Sequence, residues 1–258
     1  GITDGIAGEE LFDGKANWES TFMGYHCFYP SDIWFSGAPW HDIVLWGSYH
    51  EKKDNDRAFE IPYYQWRSTQ NIRPTINSEP PYELAGVNYD PSGKNGFFDD
   101  FDVRQQLYWS VFAGCAGHTY GCDLIWQFGQ RDSVLQKLNT WEKQLQAPGA
   151  NQIKYVNTLV SQFEWHTGKP AQYILHKNTH DPSGHLQAWK GKHFAVVYTP
   201  IGKSVEIIAE TLKSDNVVYS WFNPKNGTFS KKKSIQQNKV LRFEAPNKLQ
   251  DWILCLYL

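Results

Sequence analysis

The hydrophobic pattern of this 258-residue chain changes character once, near residue 169. Upstream, strand-like and helix-like segments alternate. Downstream, only short strand-like segments follow one another. Alternation requires a parallel sheet, because each helical stretch has to return the chain to the same end of the sheet. Short strands separated by turn signals require antiparallel pairing. The sequence therefore predicts an α/β part over residues 1–165 and an all-β part over residues 169–258.

In the first part, residues 21–28 (TFMGYHCF), 42–49 (DIVLWGSY) and 73–78 (RPTINS) read as strands, and 117–127 (GHTYGCDLIWQ) as a fourth strand with its loop. Residues 58–69, 99–115, 133–145 and 151–163 read as helices. Asp99, Asp100 and Asp102 place negative charge where the second of these begins, as a helix dipole favours. The strand at 73–78 has to stop at Glu79-Pro80-Pro81, since proline supplies no N–H to a ladder. In the second part seven strands are expected, at 172–176, 186–190, 193–199, 204–208, 217–222, 240–244 and 252–258. Turn signals such as Pro182-Ser183-Gly184 and Asn223-Pro224-Lys225-Asn226-Gly227 separate them. This spacing predicts a β-sandwich, with Trp189 and Trp221 in its core.

A net charge of -2 and the absence of a basic stripe argue against nucleic-acid or membrane-surface partners. The run Lys231-Lys232-Lys233 reads as a solvated hairpin turn. Cys27, Cys115, Cys122 and Cys255 have no paired metal-ligand spacing and read as free thiols. There is no Gly-x-Ser-x-Gly elbow, phosphate loop or dinucleotide fingerprint. No apolar run is long enough to span a membrane. Residues 1–4 (GITD) read as the interior of something longer.

Aromatic residues make up 16% of the chain, including 12 Trp and 14 Tyr. Rings of this kind have a flat apolar face and a polar edge, which suits stacking on sugars. Glu79 ends a strand of the parallel sheet, where such folds gather their active sites, and reads as a catalytic carboxylate. Glu83, four residues on, reads as a surface residue or a support for the site. His26, His50, Tyr82, His118, Tyr120 and Trp126 all fall at or beyond strand ends and read as sugar-binding residues. His26, His50 and His118 lack the spacing of a metal triad, so no metal and no cofactor is expected.

Four stretches, residues 73–83 (RPTINSEPPYE), 102–121 (DVRQQLYWSVFAGCAGHTYG), 125–127 (IWQ) and 39–42 (PWHD), with Tyr25-His26, resemble the apiosidase-like glycoside hydrolases. Residues 184–189 (GHLQAW), 221–227 (WFNPKNG) and 251–254 (DWIL) resemble the β-sandwich that follows the barrel in that family, a domain labelled collagen-binding, from a collagenase. No collagenase chemistry is visible in the residues.

The resemblance implies a retaining hydrolase built on a (β/α)8 barrel, with Glu79 as nucleophile after the seventh strand. The four upstream strands would be the fifth to eighth. The family's acid/base carboxylate follows the fourth strand in a Gly-Gly-Asp motif, which this sequence does not contain. Asp4, Glu9 and Glu10 fall on the helix before the fifth strand and do not replace it. The expectation is thus the C-terminal half of a barrel followed by a β-sandwich, completed by an N-terminal half or by a second copy of the chain. Its substrate would be a plant or microbial polysaccharide side chain, and its location periplasmic or extracellular. The alternative is a non-catalytic module that binds carbohydrate or protein.

Overall fold

A computed structural model describes residues 22–53, 55–67, 73–126, 128 and 141–258. Asp4, Glu9, Glu10, Gln127 and most of the helix expected at 133–145 lie outside them; its end is helical at Trp141–Gln144.

The first part is a three-stranded parallel sheet, order β1-β2-β3, with β1 Val44–Gly47, β2 Thr75–Glu79 and β3 Gly117–His118. Helix α1 (Arg57–Arg67) links β1 to β2, and α2 (Asp100–Phe112) precedes β3. The aspartates expected to open α2 form a capping box. Asp99 accepts from the Phe101 and Asp102 amides, and Asp102 accepts from Asp99 N–H at 2.8 Å. Two helices, α3 (Pro148–Ile153) and α4 (Tyr155–Val160), stand where one was expected.

Three of the expected strands differ. Of the strand expected at 21–28, the described residues 22–28 contribute the parallel bridge of Gly24 to Ile43 alone. The segment from 117 pairs over two residues, then turns into the short helix Asp123–Trp126. Residues 172–176 form the 3-10 turn Gln172–Ile174, because the Gln172 side chain binds the backbone of Leu186 and Ala188 and replaces ladder pairing.

The second part holds a seven-stranded sheet in the order β10 (Lys233–Ser234), β8 (Val218–Asn223), β12 (Trp252–Tyr257), β6 (Phe194–Thr199), β5 (Gln187–Lys190), β4 (Lys169–Pro170), with β9 (Thr228–Phe229) paired to β8, and a two-stranded sheet of β11 (Val240–Phe243) and β7 (Val205–Ile208). Its longest strands are β6 (Phe194–Thr199), β8 (Val218–Asn223) and β12 (Trp252–Tyr257). Every residue of β6 is buried, which a strand of period two achieves only if both faces are covered. Ala195 and Val197, with Leu254 and Leu256 of β12, face a core shared with Val205, Ile207, Leu241 and Phe243 of the small sheet. Val196 and Tyr198, with Ile253 and Cys255, face Leu107, Tyr108, Trp109 and Phe112 of α2. The sheet thus packs on its own partner and on the α/β part at once. Trp189 and Trp221 are buried. Lys232 Nζ lies 3.6 Å from the Tyr257 ring, and the four cysteines are free thiols. No helix among the described residues is long and apolar enough to cross a membrane.

Candidate active site

The three strands set out the site. Asn77, wholly buried in β2, donates to the Ser48 hydroxyl at 3.0 Å and to Ser110 of α2 at 3.4 Å. Its carbonyl accepts from Thr119 N–H at 3.0 Å. One side chain and its backbone therefore lock the ends of β1 and β3 and the helix behind them. Two residues on, Glu79 stands at the end of β2. Its carbonyl accepts from Tyr49 N–H at 2.9 Å.

Tyr49 has φ 56°, the left-handed region that costs a non-glycine residue free energy. This turn lays the Tyr49 ring over Gly47, where an added Cβ would sit 2.4 Å from the ring. It also directs His50 toward Glu79. A second left-handed pair, Asn88 and Tyr89 (φ 60° and 58°), is held by the bond from Asn88 N–H to the His50 carbonyl.

These elements enclose a cleft of about 470 Å³ lined by His26, His50, Glu79, Tyr82, Ala85, Gly86, Tyr89, Pro91, Asp123 and Trp126. His26 Nε2 is 3.0 Å from Glu79 Oε2, and His50 Nδ1 is 4.0 Å from Oε1. Burial raises the Glu79 pKa, and the His26 contact pulls it back down. Burial lowers His50 to about 4, so its ring is neutral near pH 7. The Tyr82 ring meets His50 edge-on at 4.7 Å, and Trp126 lies 6.4 Å away. Tyr82 fits there because residue 121 is glycine: a Cβ would fall 2.3 Å from its ring. A carboxyl group flanked by two imidazoles and three aromatic rings can hold a sugar and, as carboxylate, attack its anomeric carbon or, as acid, give a proton to the glycosidic oxygen.

Of the residues singled out in the sequence, the cleft gathers Glu79, His26, His50, Tyr82 and Trp126. It does not gather His118 or Tyr120. His118 pairs with Asn77 across the sheet, so its side chain takes the helix-facing side, as Asn77 does. It lines a separate cavity of about 590 Å³ with Leu107, Trp165 and Trp189. Burial there lowers its pKa to about 3. Tyr120 donates its hydroxyl to Glu83 Oε2 at 2.6 Å. Glu83 is 2% exposed, not on the surface, and also accepts from Gly149 N–H at 3.1 Å.

Five lining residues were not picked out in the sequence, and two of them, Asp123 and Tyr89, carry polar side chains. Asp123 sits three residues before Trp126 on one face of the short helix, a spacing that a helical reading of 123–126 would have shown. Tyr89 gives no sequence signal, because a strained turn puts it there.

Replacing His26 by Ala is expected to raise the Glu79 pKa further. It removes the contact that opposes burial. A carbon-detected NMR titration of the carboxyl group would show it, and an unchanged midpoint would refute the pairing.

The apiosidase-like catalytic domain profile matches residues 6–167, and the profile described as "Putative collagen-binding domain of a collagenase" matches residues 169–257. The chain belongs to the apiosidase-like family. Comparison with curated proteins gives no match. Among solved structures, one described as a glycoside hydrolase aligns at 26% identity and TM-score 0.76, over 88% of this chain and 55% of its own. A glycoside hydrolase family 5 structure from Bacteroides vulgatus ATCC 8482 aligns at 24% identity and TM-score 0.77, over 88% and 52%. A GH30 endoxylanase from Clostridium papyrosolvens C71 aligns at 13% identity and TM-score 0.50, over 98% and 60%; the likeness to these last two is one of fold alone. The chain spans about half the length of the first two.

Proposed function

We propose that this chain supplies the C-terminal half of a (β/α)8 glycoside hydrolase barrel and its nucleophile, followed by a β-sandwich. The observation that carries this reading is Glu79, at the end of β2 in a cleft of imidazole and aromatic rings. Membership of the apiosidase-like family and the likeness to glycoside hydrolase structures support it.

In this reading Glu79 attacks the anomeric carbon as the leaving oxygen takes a proton, forming a glycosyl-enzyme that water then releases. His26 and the hydrogen-bonding edge of Tyr82 orient the carboxylate and the sugar, and Trp126 stacks on the ring. The acid/base is an aspartate contributed by an N-terminal half of the barrel. Among the described residues β3 is an edge of the parallel sheet, and that piece would pair there. A side-chain sugar of a plant or microbial polysaccharide is the substrate, which places the enzyme in the periplasm or outside the cell.

A fluorosugar inactivator should leave a covalent sugar on the peptide containing Glu79, read by mass spectrometry of the full-length protein. Absence of that adduct, together with an inverted product, would rule out the retaining route. A second reading, a non-catalytic carbohydrate-binding module, draws on the missing Gly-Gly-Asp. It predicts that the full-length protein binds sugar without turnover and that Glu79→Gln binds equally well.

A further inference from the structure

Beside the cleft, residues 28–35 carry aromatic rings that the fold does not cover. Tyr29 is 53% and Trp34 55% exposed. Ring contacts connect them to the site without a gap. His26, in the cleft, stacks parallel to Tyr49 at 6.4 Å, and Tyr49 stacks on Phe28 at 4.6 Å. Phe28 meets Tyr29 at 5.2 Å, and Tyr29 meets Trp34 at 6.4 Å.

The segment is anchored along its length. The Arg57 guanidinium lies 4.4 Å from the Phe28 ring and 5.6 Å from Tyr29, and donates to the Phe28 carbonyl at 2.7 Å. Ser31 is fully buried; its amide donates to the Leu45 carbonyl and its hydroxyl accepts from Leu45 N–H, both at 3.0 Å. Gln65 of α1 donates to Asp32 at 3.2 Å. Large rings held in fixed positions and left in water are costly unless something covers them. A rigid platform loses little entropy on binding.

We propose that Phe28, Tyr29 and Trp34 form an extended binding shelf for a polysaccharide chain that enters the cleft at His26. This rests on the hydrolase reading for the identity of the cleft, and names its ligand as a polymer of several sugars. The shelf is continuous with the cleft, and its faces are aromatic rings, two of them (Tyr29 and Trp34) with polar edges, the chemistry that stacks on the C–H faces of successive sugars. It carries no row of cations suited to nucleic acid. A protein partner would instead meet it as an apolar patch.

The test is calorimetric titration of the full-length protein with arabinan-, galactan- and xylan-derived disaccharides and hexasaccharides. The best-bound series should gain about tenfold in affinity from disaccharide to hexasaccharide. Trp34→Ala should lose about that factor for the hexasaccharide alone, and Trp34→Tyr should recover most of it. Affinity that does not depend on length overturns the shelf. So does a Trp34→Ala loss equal for short and long ligands, which marks a structural role, or no loss at all. A Trp34→Ala effect on subunit association but not on sugar affinity would assign the patch to a protein partner and overturn it too. Absence of turnover with the length dependence intact would instead refute the hydrolase reading and leave the shelf standing.

Discussion

Replacing Glu79 by Gln is expected to lower turnover by the full-length protein by on the order of 10⁴-fold, as removal of a covalent nucleophile does, while raising its stability. The two effects share one cause. Burial raises the pKa of Glu79, and the His26 contact offsets this in part. The folded state therefore keeps the carboxyl proton at a pH where the unfolded chain has released it. Folding then binds protons, so stability falls as pH rises from the ordinary glutamate value through the raised one. Above that window wild type carries the full cost of a half-buried carboxylate, and below it the cost disappears. Glutamine is neutral throughout. The variant should melt at a higher temperature than wild type at pH 7, and the gain should fade in acid. Kinetics and melting curves across pH would check both. Turnover within tenfold of wild type would remove Glu79 from the chemistry, and equal melting at every pH would remove the electrostatic cost.

Asp251→Ala should cost about 3 kcal/mol, because it removes the buried carboxylate that takes two of the bonds of a buried guanidinium and leaves Asp100 as its remaining counter-charge. Arg104 of α2 and Asp251, just ahead of β12, are 3% and 1% exposed. Two parallel bonds join them, Nε to Oδ2 at 3.1 Å and Nη2 to Oδ1 at 3.0 Å. Arg104 also reaches Asp100 at 2.7 Å and the Gln152 side chain, and Tyr198 donates to Asp251 at 3.3 Å. The pair thus ties the α/β part to the center of the seven-stranded sheet. Urea unfolding followed by tryptophan fluorescence should show a lower midpoint in Asp251→Ala, and the single transition should divide in two as the parts uncouple. The double variant Arg104→Met with Asp251→Leu should regain most of the loss, since apolar side chains need no counter-charge. A loss below about 1 kcal/mol would place the pair among contacts that surround a core without holding it.

Both predictions rest on residues that differ in how far the sequence reveals them. Glu79 is visible because two prolines end its strand and mark where the carboxylate must stand. Arg104 and Asp251 lie 147 positions apart, and nothing local links them.

The sequence alone determined the capping aspartates of α2, most of the antiparallel strands, and the carboxylate at the end of β2. All of these are local signals: periodicity, turn residues, and the missing N–H of proline. Only the tertiary structure decided which strand-end residues share the cleft. His118 looks like its neighbours in sequence, yet pairing with Asn77 turns it to the helix side, because side-chain direction in a sheet follows the partner's register. Tyr120 is claimed by the buried Glu83. Tyr89 reaches the cleft through a left-handed turn that its residue type does not announce. The aromatic shelf, too, depends on Arg57 and Ser31 fixing a short segment whose exposed rings would read in sequence as ordinary core.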